Sequence, residues 1–443
     1  MVQNLARAMI GLALLAVSAV RADEAVTLRE SFPSGYQYHV SSRVDLTGSL
    51  ALPPEAGKEP QKLPVVGESA IEYDERVLTV EGNDVKKTAR IYRRVEFRRK
   101  VGDRPQDATI RPAVRRLVLM RLRQVEVPFS PDGPLLWGEI DLVRTDVFTP
   151  ALAGMLPAQA VRPGDRWTAA ESAIQELTDL ERIEDGKVEC RLDQVTVLNR
   201  RRLARVTFSG SVRGLNEDGP NRQILDGYFF FDLESHHISY VSLKGTHVLL
   251  DKDGKEQGRV EGQFVLTRQA NTSTQDLNDT TLKSVKLEPD DDNTRLLYEN
   301  DDLGIRFLYP RRWRVAGARG RQLGVDETNG SGLMLTLEPA AAMPTGAQYL
   351  AESRTWLQGQ KARILRVTEP RALPGANGIE SFSIEMEANG KRATMEYFVI
   401  RQKLGGITVA ARLLPNDQAI LRRELESIVR SMEVTRPILE AKK

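Results

Sequence analysis

A single cysteine, Cys190, stands among 443 residues, which excludes an internal disulfide framework and a cysteine-rich zinc site. Histidine is almost as scarce: His39, His236, His237 and His247. His236 and His237 are neighbours in a strand-like run, so they point to opposite faces and cannot chelate one metal. His237 and His247 could meet across a hairpin, but no third ligand accompanies them, and zinc needs three or four. No metal and no cofactor is therefore expected. A G-x-S-x-G elbow, an H-E-x-x-H helix and a phosphate-cradling glycine loop are missing too. Asp251-Lys252-Asp253-Gly254 lacks the further carboxylate of a calcium loop, and Val260 stands where its bidentate Glu would be. A hairpin turn explains that string. These absences favour a protein that is not an enzyme.

Charge of one sign is also lacking. There are 63 basic and 61 acidic residues, and two of the basic ones, Arg7 and Arg21, lie in the first 22 positions. Removing those two leaves 61 against 61, so bulk charge gives no argument for nucleic acid or an anionic membrane as partner. Long apolar runs are absent after Ala8–Val20 (AMIGLALLAVSAV). That run follows Arg7, is too short to span a bilayer comfortably, and leads to the small residues Val20 and Ala22. Residues 1–22 thus read as a cleaved secretory signal, without a lipobox cysteine or an Arg-Arg pair. The expected location is secreted or periplasmic, with no transmembrane segment after cleavage.

What is present is mainly period-two alternation over residues 23–269. Tyr36, Tyr38, Val40 and Val44 alternate with Gln37, His39, Ser41 and Arg43; Val206, Phe208 and Val212 alternate with Thr207, Ser209, Ser211 and Arg213. Val260, Phe264 and Leu266 do likewise against Arg259, Glu261 and Gln263. Such strands bury one face and wet the other, as in antiparallel sheets. Turn signals separate them at Glu184-Asp185-Gly186, Glu217-Asp218-Gly219 and Asp251–Gly254. Alternation puts Cys190 on the apolar side with Val188 and Leu192, as a buried thiol. One helical interlude is expected over Glu139–Ala153, and an exposed loop between Pro53 and Gly67.

Residues 270–293 dissolve into Asn, Thr, Ser and Asp and read as an acidic polar linker. Residues 294–436 follow a different pattern, with a short tail at 437–443. Strands are expected at Gly304–Tyr309, Leu333–Glu338, Arg363–Pro370, Ile379–Ala388, Arg392–Arg401 and Ile407–Leu413. One helix near Gln348–Gln358 aligns Leu350, Ser353 and Leu357. A last helix, capped by Asn416 or Asp417, aligns Leu421, Leu425, Ile428 and Met432. Trp313 and Trp356 are expected as core anchors. The fold class is α+β: a mostly antiparallel β domain, as a curved sheet or half-barrel, followed by an α/β sandwich.

The run Leu303-Gly304-Ile305-Arg306-Phe307, Tyr309-Pro310 and Trp313, with the closing Ile428-Val429-Arg430-Ser431-Met432, resembles the PsbP/Mog1-type fold over about Tyr298 to Val434. The resemblance implies a non-enzymatic adaptor or binding module, and it carries over no site residue. Ser130-Pro131-Asp132-Gly133-Pro134-Leu135, Leu156-Pro157 and Pro163-Gly164-Asp165-Arg166-Trp167 are similar in style to secreted bacterial proteins without assigned function. The long meander with its helical interruption also resembles the half-barrel of LolA-type lipoprotein carriers.

One block is uneven. Between Arg90 and Arg123 basic residues far outnumber Glu96, Asp103 and Asp107. Two strands, Arg90–Arg99 and Arg115–Val127, could pair and gather guanidiniums on one sheet face, with Arg93 and Arg99 in register with Val95 and Phe97. The candidate ligand-binding set is Arg90, Arg93, Arg94, Arg98, Arg99, Arg121 and Arg123, suited to a phospholipid head group or an acidic polymer. The competing reading is a solvated face balanced by acids from elsewhere, which near-zero net charge favours. The leading expectation for function is a binding or accessory protein holding an apolar or amphipathic ligand, such as a lipid, in the β domain. The alternatives are a structural or protein-interaction component of the cell envelope and, third, a secreted hydrolase.

Overall fold

The computed structural model describes residues 24–51, 61–122, 125–217, 219–416 and 418–439. Residues 1–22, read above as a secretory signal, and Arg123 lie outside the described residues. The chain divides into two units. Unit 1 takes the chain up to Arg111, then Arg115–Pro128 and Leu142–Val285; unit 2 takes Pro112–Val114, Phe129–Asp141 and the chain from Lys286 on.

Alternating sequence becomes long antiparallel strands in unit 1. They are β1 (Gln37–Ala51), β2 (Lys62–Glu81), β3 (Asp84–Val101), β4 (Arg104–Pro105), β5 (Arg116–Leu122) and β6 (Val125–Phe129). After β7 (Leu135–Leu136), which belongs to unit 2, come β8 (Arg166–Thr168), β9 (Arg182–Leu198), β10 (Arg201–Asn216), β11 (Gly219–Asp232), β12 (His237–Leu250) and β13 (Glu256–Ala270). They form one twelve-stranded sheet in the order β6-β5-β3-β2-β1-β13-β12-β11-β10-β9-β8, with β4 beside β3. Most neighbours in sequence are neighbours in space; β5 passes β4 to pair with β3, and β13 returns to pair with β1. The sheet remains open, with edges at β6 and β8 rather than a closed barrel.

Period two decides which face is wet. Tyr38 and Val40 are fully buried on β1 beside Ile71 and Tyr73 of β2, and Val188, Cys190 and Leu192 of β9 are buried together, as their alternation requires. After α1 (Trp137–Arg144), the inner face is covered by the 3₁₀ turn Thr149–Met155 and α2 (Glu171–Thr178). The single helix expected over Glu139–Ala153 is thus two pieces, because Pro150 cannot continue an α-helix through its missing N–H. Leu152, Met155, Ala173 and Ile174 from these pieces join the core.

Two glycines show how tightly the sheet coils. A Cβ on Gly48 would lie 2.1 Å from the carbonyl oxygen of Arg259 on β13, and one on Gly210 equally close to that of Lys187 on β9. The turn expected at Glu184-Asp185-Gly186 is instead a bulge within β9. Register slips there between Arg213 and Gly214, and Gly186 takes φ +93°. The turn at Asp251–Gly254 does form, with the Asp251 carboxylate accepting from the backbone N–H groups of Asp253 and Lys255 at 2.9 Å.

The stretch expected as a linker, 270–293, is divided between the units. Residues up to Val285 belong to unit 1, and contain the 3₁₀ turn Gln275–Leu277 and α3 (Asp279–Lys283). Asp276 pairs with Arg93 and Asp279 with Arg76, so two of its exposed acids reach arginines of the sheet.

Unit 2 holds two sheets. The smaller joins β7, β14 (Leu296–Asn300), β15 (Ile305–Tyr309) and β24 (Glu433–Val434) in the order β24-β15-β14-β7. The larger has β16 (Trp313–Arg319), β17 (Gln322–Glu327), β18 (Gly332–Glu338), β19 (Arg363–Val367), β20 (Arg371–Ala372), β21 (Ile379–Ala388), β22 (Lys391–Gln402) and β23 (Gly405–Leu413). Its order is β16-β17-β18-β23-β22-β21-β19, with β20 against β21. Helix α4 (Gly346–Gly359) opens with a capping box in which Thr345 and Gln348 satisfy each other's backbone N–H groups. It buries Leu350 and Leu357 against Phe382, Ile384 and Tyr397. Helix α5 (Gln418–Ser431) buries Leu421, Leu425, Ile428 and Val429.

Trp313 is a core anchor, fully buried, with its indole N–H donating to Glu424 at 2.8 Å. Trp356 is not: it is 59% exposed, since the residue before the buried Leu357 is turned about 100° off the apolar stripe. Taken as a whole, the described residues are predominantly antiparallel β, with the helices a minor part.

Candidate functional site

One extra residue on β3 decides where the arginine block goes. Glu72 of β2 faces Arg94, but the next residue, Tyr73, faces Tyr92, leaving Arg93 as a bulge. Arg93 and Arg94 therefore both reach the exposed face, and strand parity reverses across them. Thr88, Arg90 and Tyr92 turn inward on one side of the bulge; Glu96 and Arg98 turn outward on the other. The sequence expectation that Arg93 shares a face with Val95 and Phe97 is corrected by this slip, which no alternation pattern contains.

The arginines expected to form one site are consequently dispersed. Arg90 is buried. Arg93 pairs with Asp74 at 2.9 Å and Asp276 at 3.0 Å, Arg94 with Glu96 at 2.7 Å, and Arg98 with Glu68 at 3.1 Å. Arg99 donates to the side chain of Gln106 at 2.8 Å, with its guanidinium over the Phe97 ring. Arg121 pairs with Glu176 of α2 at 3.0 Å and stacks over Phe148 at 4.5 Å. Arg94, Arg98 and Arg99 come together on or beside the outer face; Arg90 and Arg121 belong to the inner one.

Around Arg90 the inner face carries a polar network that sequence reasoning missed. Glu75 of β2 accepts from Arg90 Nη2 at 3.0 Å, from Thr88 at 2.7 Å and from the Tyr38 hydroxyl at 2.5 Å. Arg90 Nη1 donates to Asp146 at 2.6 Å and to the Tyr92 hydroxyl at 2.9 Å, while the guanidinium lies 3.9 Å above the Tyr73 ring. Glu75, Arg90 and the three tyrosines are essentially solvent-free. Burial holds the three phenols well above their usual pKa, so they remain protonated donors. Burial also pushes Asp146 up to about 7, against the pull of Arg90, and Glu126 up to about 8. In the sequence this network shows only as Tyr38 and Arg90 in strand-like runs; the carboxylates come from elements that no local pattern connects.

The accessible feature of unit 1 is a groove of about 820 Å³ across β3, β2, β1, β13 and β12. Leu46, Gly67, Gly245 and Gly262 form a row through neighbouring strands, so its middle carries little side-chain bulk. Arg98, Arg99 and Lys100 line the β3 end, Lys244 and Thr246 the β12 end, and Val66, Glu68, Asp45 and Glu261 lie between. A smaller adjoining hollow is bounded by Arg43, Arg94 and Glu96. The groove thus offers cations at both ends, acids between them and apolar surface at Leu46 and Val66. That pattern suits an elongated molecule with both charged and apolar parts.

Other candidate chemistry is placed as follows. His237 is buried with Nε2 3.2 Å from the Arg268 carbonyl, while His236 is exposed in the preceding turn. His39 lies between Glu72 and Asp74. Among the described residues no three His, Cys, Asp or Glu side chains converge as a metal site. Burial raises the Cys190 thiol to about 12, an inert value for a nucleophile. No described helix is long and apolar enough to cross a membrane.

Comparison with known proteins adds little. No protein-family model matches the chain, and no curated protein matches it in sequence. Among solved structures, the solution structure of cyanobacterial PsbP (CyanoP) from Synechocystis sp. PCC 6803 is similar to part of it, at 14% identity and a TM-score of 0.24. That match covers 32% of this chain and 92% of the cyanobacterial one.

Proposed function

We propose that the protein is a non-enzymatic, extracytoplasmic binding or accessory protein whose β unit takes a single-chain amphipathic ligand in the groove across β3, β2, β1, β13 and β12. The groove itself carries this reading: its volume falls in the range of small-molecule sites, and its lining combines apolar surface with charges at fixed spacing. The open, coiled sheet with a helical cover is in keeping with a half-barrel of the LolA style. For unit 2 we propose a PsbP/Mog1-type sandwich; its support is the Leu303–Trp313 motif and the buried stripe of α5. The secretory signal at residues 1–22 supports the extracytoplasmic assignment.

Native mass spectrometry of detergent-free protein, titrated with a zwitterionic lysophospholipid, tests the binding role. A saturable one-to-one adduct is expected in the wild type and its loss in Thr246→Trp, which fills the β12 end of the groove. Bare protein throughout the titration would overturn the carrier reading and leave an envelope interaction role in its place.

A further inference from the structure

The buried network contains more carboxylates than guanidiniums. Glu75 on β2, Asp146 after α1, Glu176 on α2 and Glu126 on β6 surround Arg90 of β3 and Arg121 of β5. With every acid ionised, the cluster would hold four negative charges against two positive ones, with Glu75, Arg90 and Asp146 shut off from water and Glu126, Glu176 and Arg121 only partly exposed to it. Tyr38, Tyr73, Tyr92, Thr88 and Thr149 add only neutral donors. Arg90 is already shared between Glu75 and Asp146, and Arg121 is occupied by Glu176. Asp146 is 1% exposed at its side chain, and its Oδ1 has no hydrogen-bond partner. That oxygen can carry a proton without losing a bond.

The same carboxylates fasten one backbone segment to the sheet. Asp146 is held by Arg90, the Val147 carbonyl accepts from Tyr73, the Phe148 N–H donates to Glu176 at 2.5 Å, and Thr149 donates to Tyr38. Residues 146–149 thus join α1 to the turn that covers the inner face, and beyond local backbone bonds to Val143 and Ala151 their side-chain-mediated hydrogen bonds run to the cluster's own members. We propose that this cluster is a proton-dependent latch: with its surplus carboxyls protonated it holds segment 146–149 against β2 and β3, and their ionisation releases the segment and uncovers the inner face of the sheet.

The direction follows from the raised pKa values. Asp146 moves from an ordinary 3.8 up to about 7, Glu126 from 4.5 up to about 8, and Glu176 also upward, each chiefly through burial. The closed form therefore binds protons more tightly than the open one, so closure is strongest at acidic pH and is lost as pH rises towards the closed-form values. For Asp146 alone, this linkage makes the opening constant rise roughly tenfold between pH 6 and pH 8.

Hydrogen–deuterium exchange of the amides at 146–149, corrected for the intrinsic pH dependence of exchange, tests the latch in the full-length protein. The wild type should lose protection by at least about tenfold from pH 6 to pH 8, while amides of the β12–β13 hairpin stay unchanged. Asp146→Asn, which cannot ionise, should remove about tenfold of that response; Glu126→Gln, at the edge of the cluster, should also reduce it and serves if the first variant does not fold. Constant protection at 146–149 in the wild type, or an undiminished response in both variants, would overturn the proposal.

Discussion

Arg90 and Arg98 lie on one strand and have opposite fates. Arg90 is 1% exposed at its side chain and clasped by Glu75 and Asp146; Arg98 is 64% exposed and pairs with Glu68 at the rim of the groove. Eight positions apart, two residues of a regular strand would point the same way. The bulge at Arg93 reverses the parity, so that Arg90 goes into the core while Arg94 and Arg98 reach the surface. Identical side chains therefore do different work: one organises a buried network, the other shapes a wet groove. The lesson is that a charge block in a β protein has no single reading until its register is known.

The sharpest way to break this comparison is to remove Arg90. Arg90→Ala leaves Glu75 and Asp146 buried without their cation, and a loss of about 3–5 kcal/mol is expected in urea unfolding. Lysine should rescue little of it, because one ammonium cannot reproduce the fork that holds both carboxylates. A middling effect is expected where the sheet coils. Gly48→Ala drives a methyl group into the Arg259 carbonyl of the neighbouring strand, and should reduce stability by about 1–3 kcal/mol. The smallest effect belongs to the surface half of the block. Arg98→Ala should change stability by less than about 0.5 kcal/mol, a difference that added salt removes further. An Arg98 effect as large as that of Arg90 would end the division between the two halves.

Much of the fold was legible because period two is a direct consequence of strand geometry. Tyr38 and Val40, Val188 with Cys190, and Val206 with Phe208 all lie on the faces their alternation assigns. The α5 stripe was equally readable, since Leu421, Leu425 and Ile428 repeat at the helical period. Irregularities were not. The bulges at Arg93 and Glu184 add one residue each, and nothing in composition separates such an insertion from a turn. The β16–β17 hairpin was missed because Val315-Ala316-Gly317-Ala318 offers no polar–apolar contrast. The acids at 270–285 looked like a solvated spacer because their partners, Arg76 and Arg93, lie about two hundred residues earlier.

For the candidate site the loss was greater. The arginines were visible, but whether each one faces water, a ligand or a buried carboxylate depends on Glu75, Asp146 and Glu176, which lie on three separate elements. The groove was invisible for a different reason: it follows from the missing side chains of Gly67, Gly245 and Gly262 on neighbouring strands rather than from a motif.

The bulge is the hinge of this account, and adjacent cysteine substitutions report on it directly. In a regular strand Arg93→Cys and Arg94→Cys would alternate, one open to a thiol reagent and the other protected. The structure predicts that both label rapidly and at similar rates, against a background kept silent by the buried Cys190. Rapid labelling at one position with protection at its neighbour would contradict the register on which the division of the arginine block rests.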